Sequence, residues 1–202
     1  QKLKYIPKLT SGEWKASYCL TEPGSGSDAN SGKTKAVLSD DGKYYLITGQ
    51  KMWITNAGFA DVFTVFAKID DDKNLTAFII EKSFGGITIN EEEKKMGIKG
   101  SSTCQVFFNE CKVPVENVLG DRQEGFKIAL NILNVGRIKL AGAAIGASKS
   151  VINHSIKYAT ERAQFGKAIS NYGAIKHKLA EQAIRVYATL VQTFVFCKTP
   201  PK

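Results

Sequence analysis

From about Trp14 to Leu119 the chain alternates short β-branched and aromatic runs with turn signals. After Gly120 the apolar period lengthens. In 43-KYYLITGQKMWITNAGFADVFTVFAKI-69 the runs are broken by Gly and Asn, and 74-NLTAFIIEK-82, 86-GITI-89 and 104-CQVFFNECKVP-114 follow. Upstream, 13-EWKASYCL-20 is a further candidate strand. Turn chemistry sits at Asp40-Asp41-Gly42, Asp70-Asp71-Asp72 and Gly85-Gly86. Strands this regular, with no helix between them, predict an antiparallel barrel or sandwich.

Beyond Gly120, Phe126, Ala129, Leu130, Leu133 and Arg137 recur at helical spacing, as do Ile145, Ser148, Ile152 and Ile156. One long helix or two in tandem would satisfy this. Within it, 141-AGAAIGA-147 is small side chains and one Ile, which predicts burial against a close neighbour. A further helix starts near Gly173, with a stripe of Ile175, Leu179, Ala183, Val186, Leu190 and Phe194, and Thr199-Pro200-Pro201 stops it. These helices carry more apolar surface than two helices can hide from each other, so they call for partners. The whole is an α+β multidomain chain. Residues 1–13 read as the end of a preceding helical domain, 14–119 as a β-barrel domain, and 120–202 as the first helices of a helical bundle. The boundary lies near 114-PVENVLGDRQEG-125.

The chain has 202 residues and a formal net charge of +9, which favours anionic partners. The basic residues are scattered, apart from Lys94, Lys95 and Lys99 beside 91-EEE-93, and no basic stripe interleaved with aromatics argues for nucleic acid. Cys19, Cys104, Cys111 and Cys197 lack C-x-x-C spacing and His154 and His177 are far apart, so neither zinc nor a disulfide is expected and each cysteine reads as a packing residue. No uninterrupted apolar run approaches the ~20 residues that span a bilayer. The opening QKLKYIPKLTSGEW lacks the apolar core of a signal peptide and reads like the middle of something longer.

Gly24, Gly26 and Ala29 in 19-CLTEPGSGSDA-29 fit G-x-G-x-x-A, a dinucleotide fingerprint. The context contradicts it. Asn30, Ser31, Gly32 and Lys33 open no amphipathic helix, and a turn follows at Asp40. The loop still offers the hydroxyls of Thr21, Ser25 and Ser27, and glycines that let backbone N–H groups approach an anion. Three other segments join it: 53-WITN-56, 96-MGIKGSST-103 leading into 113-VPVENVLG-120, and 161-ERAQFGKAI-169.

Together and in this order the four segments resemble the acyl-CoA dehydrogenase family, from Tyr5 to about Ala188. The closest branch is the long and very-long-chain one, on 92-EEKKMGIKGSST-103 and 131-NILNVGRIKLA-141. The resemblance implies that Tyr18, Cys19, Leu20, Thr21, Glu22, Pro23, Gly24, Ser25, Gly26 and Ser27 form a loop wrapping the flavin of FAD on the barrel domain. Thr21 would bond the pyrimidine side, and Ser27 would lie near the pyrophosphate and the acyl-CoA. Trp53 would pack beside the isoalloxazine, followed by Ile54, with Thr55 donating to the N5 region. Arg162 would reach the FAD pyrophosphate of a neighbouring subunit, with Gln164 and Phe165 at its adenosine end. Asn134, Val135, Gly136 and Arg137 would contact the thioester and CoA.

The implied activity is α,β-dehydrogenation of fatty acyl-CoA to the trans-2-enoyl-CoA. Electrons would pass to an electron-transfer flavoprotein, and the enzyme would be a homodimer or homotetramer in the bacterial cytoplasm or the mitochondrial matrix. The sequence departs from the family in its helical domains, so it reads as a core fragment without the catalytic glutamate. Gly136 stands where some branches place that glutamate, and neither Glu22 nor Glu161 matches a base position. A same-fold acyl-CoA oxidase, a non-catalytic scaffold that kept the fold, and a barrel that binds another anion are the alternatives.

Overall fold

The computed structural model describes residues 1–198, with side chains through Phe196. It opens with α1 (Lys2–Ser11), which Gly12 closes in the left-handed conformation, φ 76°. Eight strands follow: β1 (Ala16–Cys19), β2 (Lys35–Leu38), β3 (Tyr44–Thr55), β4 (Val62–Ile69), β5 (Thr76–Glu81), β6 (Ile87–Ile89), β7 (Thr103–Pro114) and β8 (Val118–Leu119). Then come α2 (Gly125–Glu161), the short strands β9 (Ala163–Gln164) and β10 (Lys167–Ala168), and α3 (Gly173–Lys198). The proline stop expected at Thr199-Pro200-Pro201 lies outside the described residues.

The sheet runs β6-β7-β3-β2-β4-β5-β8, with β1 also on β4. It is mixed rather than antiparallel: β1 and β2 both pair β4 in parallel, at Ala16↔Val62 to Cys19↔Val65 and at Lys35↔Lys68 and Ala36↔Ile69. β4's other edge is taken by β5, so β1 and β2 follow one another along a single edge. Residues 20–34 are the excursion between them. Alternation points Ile47, Phe63, Val65, Phe78, Ile80, Val106 and Val113 into one buried core. Free thiols Cys19, Cys104 and Cys111 are buried, as packing residues would be; the side chain of Cys197 lies outside the described ones.

Two compact units divide between Leu130 and Asn131, inside α2. The first turn of α2 belongs to the sheet unit because Ala129 is buried with Phe66, Leu75 and Ala77, and Gly125 N–H donates to the Leu75 carbonyl at 2.8 Å. A Cβ on Gly125 would stand 2.7 Å from the Ala77 nitrogen, so glycine lets the helix start there. On the other face Tyr5 of α1 donates to Glu81 at 2.7 Å and accepts from Asn117 at 2.9 Å.

In the second unit α2 is one helix, not two. Among its described residues, the buried apolar side chains are Ile145 and Ala159. The predicted burial of 141-AGAAIGA-147 is met only by Ile145; a Cβ on Gly142 or Gly146 would meet nothing within 4 Å. Apolar side chains such as Leu140, Val151, Ile184, Val191 and Phe194 are exposed. α2 is also long and apolar enough to cross a membrane by length and composition, with mean hydropathy 1.4 over 18 residues. A search for uninterrupted runs misses this, because Asn131, Asn134, Arg137 and Lys139 punctuate the apolar positions.

Candidate functional site

In the sheet unit the site forms where β1 ends, the 20–34 excursion begins and β3 is bulged. The β3–β7 register shifts between Lys51 and Ile54, which inserts an extra residue and re-aims the side chains beyond it. Trp53 takes φ 57° there and is 61% exposed. A bulky residue held in the left-handed region is strained, and such strain collects at ligand-facing positions. The Met52 N–H donates to the Thr21 carbonyl at 3.0 Å, stitching loop to bulge. The Ser17 hydroxyl does the same for the strand end, donating to the Thr55 carbonyl at 2.8 Å. Thr21, Trp53 and Thr55 thus leave their side chains half-exposed or exposed around one strand end, while Ile54 between them is core.

The excursion sorts its own residues. Pro23, Gly24, Gly26 and Ser27 are exposed, and nothing stands within 4 Å of a Cβ built on either glycine. Ser25 turns inward, donating to the Asp28 carbonyl at 2.7 Å, while its N–H and carbonyl pair with those of Glu22 at 3.1 Å. Cys19 is fully buried and its thiol is pushed up to about 12 by burial, against the pull of Lys51. Tyr18 packs edge-on to Phe66, donates to the Ala129 carbonyl at 3.3 Å, and is pushed up to about 12 by burial. Tyr18, Cys19, Leu20, Glu22, Ser25 and Ile54 therefore spend their side chains on the fold. A ligand on the outer face would meet Thr21, Pro23, Gly24, Gly26, Ser27, Trp53 and Thr55.

Sequence reasoning missed what holds this face. Lys51 is fully buried and Glu22 is 6% exposed, with their charged atoms 2.8 Å apart. Lys51 also donates to the Leu20 carbonyl at 3.1 Å and the Phe66 carbonyl at 2.7 Å, which uses all three ammonium hydrogens. Glu22 accepts from Lys33 N–H at 2.6 Å and from Thr34 N–H and Oγ1 at 3.1 and 2.6 Å. Burial pushes the Glu22 carboxyl up, but the Lys51 charge and these hydrogen bonds together hold it below the usual carboxylate range. The available signal was the strand period: Lys51 falls in step with Ile47 and Gly49 on the inward face.

A second group flanks Thr55. Its register partner is Thr103, whose hydroxyl accepts from Lys95 at 2.9 Å; Lys95 also donates to the Ser101 carbonyl. Glu92 accepts from Ser102 at 2.5 Å and from Thr103 N–H at 2.7 Å, and these bonds, Ser102 first, hold its carboxyl below the usual range. Beside them lies an open depression of about 960 Å³ lined by Phe59, Glu92, Lys94, Lys95 and Lys99 among others.

In the second unit, Arg137 donates to the Asn134 side chain at 2.7 Å, one helical turn back; both are exposed, with Val135 and Gly136 between them. α2 ends at Glu161, and just beyond it β9 and β10 form a hairpin, Gln164↔Lys167. Its two turn residues, Phe165 and Gly166, have φ 51° and 79°, the backbone of a type I′ turn. Phe165 is 93% exposed there, a free aromatic face on a tight turn. The Tyr172 hydroxyl donates to the Gln164 carbonyl at 2.8 Å, and Ile169 N–H donates to the Arg162 carbonyl at 2.8 Å, so the hairpin is fixed while the Arg162 side chain is exposed.

Residues 17–111 match the family described as acyl-CoA dehydrogenase, middle domain, and residues 123–195 match its C-terminal domain. The chain is 54% identical over 188 residues to a probable acyl-CoA dehydrogenase of Bacillus subtilis (strain 168), covering 93% of this chain and 32% of that one. It is 51% identical over 197 residues to the human mitochondrial very long-chain specific acyl-CoA dehydrogenase, covering 94% and 30%. Among solved structures, an acyl-CoA dehydrogenase complexed with FAD from Bacillus anthracis superposes with TM-score 0.89 at 47% identity, over 96% of this chain and 34% of that one. The chain thus spans about a third of the length of these two curated relatives.

Proposed function

Because this chain belongs to the acyl-CoA dehydrogenase family, we propose that its residues hold FAD and a fatty acyl-CoA thioester for α,β-dehydrogenation to the trans-2-enoyl-CoA. The observation that carries this is the outward face at the β3 bulge, with two threonine hydroxyls flanking a strained, exposed indole. Hydroxyls suit the carbonyl and nitrogen edge of a flavin, and an indole suits its face. When bound, FAD supplies the acceptor for the substrate's β-hydride.

Thr21 would donate to the pyrimidine side of the ring and Thr55 to the N5 region, with Trp53 beside the ring. Gly24 and Gly26 would let the loop main chain approach closely, and Ser27 would adjoin both pyrophosphate and acyl-CoA. Arg162 offers a planar fork for the pyrophosphate of a neighbouring subunit's FAD, and Gln164 and Phe165 would line its adenosine end. Asn134 to Arg137 would meet the thioester and CoA. Thioester α-protons are weakly acidic, so a carboxylate must remove one while the carbonyl is polarised. Glu22 is unsuited to that role because its carboxylate is buried and already accepts four hydrogen bonds. No carboxylate here matches the base position of the family, so the base is proposed to lie outside these 202 residues. Electrons would leave to an electron-transfer flavoprotein from a homodimer or homotetramer, in the bacterial cytoplasm or the mitochondrial matrix.

The test is a titration of the purified chain with FAD, followed by anaerobic addition of palmitoyl-CoA. The expected result is a yellow complex whose flavin spectrum shifts with acyl-CoA and does not bleach. A chain that takes up no FAD would overturn the reading. Rapid bleaching with enoyl-CoA formation would overturn the placement of the base. Fast oxygen consumption by the dithionite-reduced complex would mark an acyl-CoA oxidase instead.

A further inference from the structure

We infer that the buried Glu22–Lys51 pair is the positioning device of the site: it pins both ends of the 20–34 excursion to β3 and so sets where Thr21 and Trp53 present themselves. For what the loop faces, this rests on the flavin reading above; for how the loop is held, it rests on geometry alone.

β4 changes partner along one edge, from β1 at Val65 to β2 at Lys68. The Phe66 carbonyl falls between the two pairings and accepts from Lys51 at 2.7 Å. The same ammonium holds the first residue after β1, through the Leu20 carbonyl. Glu22 then closes the loop on itself by accepting from Lys33 and Thr34, the residues that lead into β2. Lys51 lies two residues before Trp53, and Met52 between them is bonded to Thr21. One ion pair therefore connects the start of the loop, its end, the edge of β4 and the bulge.

The surrounding sequence leaves room for this pair and for nothing larger. A Cβ on Gly32 would lie 2.9 Å from Glu22 Oε1, and one on Gly49 would lie 2.5 Å from Thr34 Oγ1. General stability does not explain the pair, since apolar residues of similar volume in place of a buried ion pair are often neutral or stabilising. The pair fixes register instead: its bonds go to specific main-chain atoms of an irregular segment that has no ladder of its own.

The experiment compares the wild-type chain with Glu22→Gln, with Thr34→Val, which keeps the ion pair and removes one of Glu22's donors, and with Ile80→Val, a core change in β5. Amide hydrogen exchange and FAD titration are read on each. In Glu22→Gln, exchange at Lys33, Thr34 and Met52 is expected to rise about tenfold or more over any rise at Phe63, Val65 and Ile79, in keeping with the loss of charge-assisted bonds. Thr34→Val should show a smaller rise at the same sites. Ile80→Val should instead loosen the β4–β5 amides and leave the loop unchanged. FAD affinity and the flavin spectrum should change in Glu22→Gln and Thr34→Val and stay put in Ile80→Val. Should Glu22→Gln fail to fold, Thr34→Val decides alone. Uniform exchange across sheet and loop in the loop variants would overturn the inference, as would local loosening with FAD affinity and spectrum unchanged. A wild-type chain that binds no FAD would sink the flavin reading, while the exchange pattern would still decide how the loop is held.

Discussion

An L-residue in the left-handed region costs about 1–2 kcal/mol relative to its ordinary conformation, and Trp53 sits there at φ 57° with most of its ring in solvent. The fold gains little from that indole, which suits the place proposed for it beside the flavin. Replacing it separates the two accounts. Trp53→Gly removes the strain at an entropic cost of about 0.5–1 kcal/mol, so the ligand-free protein should be unchanged or stabilised by up to about 1 kcal/mol. FAD affinity should fall. Melting with and without FAD checks both halves, and a clear drop in the ligand-free midpoint would place Trp53 in the fold instead. Glu22 makes the opposite case, a residue spent wholly on the fold. Its folded pKa lies below the ordinary value of about 4.3, so its contribution is complete above that value and is lost as pH falls through the depressed folded one. Urea unfolding should show this loss only below about pH 4, and Glu22→Gln should shrink that acid limb. Glu81 and Glu92, also held low, would leave part of it; an unchanged limb would deny Glu22 the role.

At the scale of elements, strands and helices were legible in the chain wherever the period was long and uninterrupted. β3, β4, β5 and β7 follow the β-branched and aromatic runs, and α3 starts at the expected Gly173. β2 was not legible, because Lys35–Leu38 is too short to show a period and owes its existence to pairing with β3 and β4. Those parallel pairings escaped for a similar reason: direction is a tertiary property that strand composition does not encode. In the site, hydroxyls and glycines could be read as a motif, whereas Lys51 looked like any strand lysine until its inward phase was counted from Ile47 and Gly49. The β9–β10 hairpin was hidden because Phe165 occupies a left-handed turn position where Asn or Gly is the usual signal. The turn has a purpose if Arg162 and Phe165 serve a cofactor together. Arg162→Lys keeps the charge and loses the fork, so FAD binding should weaken by about 1–3 kcal/mol, the scale of a charge-assisted bond, with hairpin and helicity intact by circular dichroism. Unchanged affinity at low protein concentration would remove Arg162 from the site.

For the molecule as a whole, the two units are unequally built. The sheet unit buries Phe63, Phe66, Phe78, Ile47, Ile80 and Val106 almost completely, whereas the described helical unit buries only Ile145 and Ala159 among its apolar side chains. Propensity alone rarely holds a helix in water; an amphipathic face packed on something does. Val191 and Phe194 on α3 and Leu133, Leu140 and Val151 on α2 are exposed, so among the described residues much of the apolar surface of these helices is left uncovered. Local stability should therefore follow the units rather than a single transition. In dilute solution, amides of β3, β4 and β7 should exchange at least about a hundredfold more slowly than those of α3, a gap of about 2.7 kcal/mol in opening free energy. Raising the protein concentration should slow α3 and leave the sheet alone, because association covers apolar faces and binding to the folded form stabilises it by mass action. The double substitution Val191→Lys with Phe194→Glu should abolish that concentration dependence while changing the dilute-solution exchange of the sheet by no more than surface substitutions do, about 0.5 kcal/mol. If α3 already exchanges as slowly as β4 in dilute solution, its exposed face needs no cover and the argument for a partner there fails.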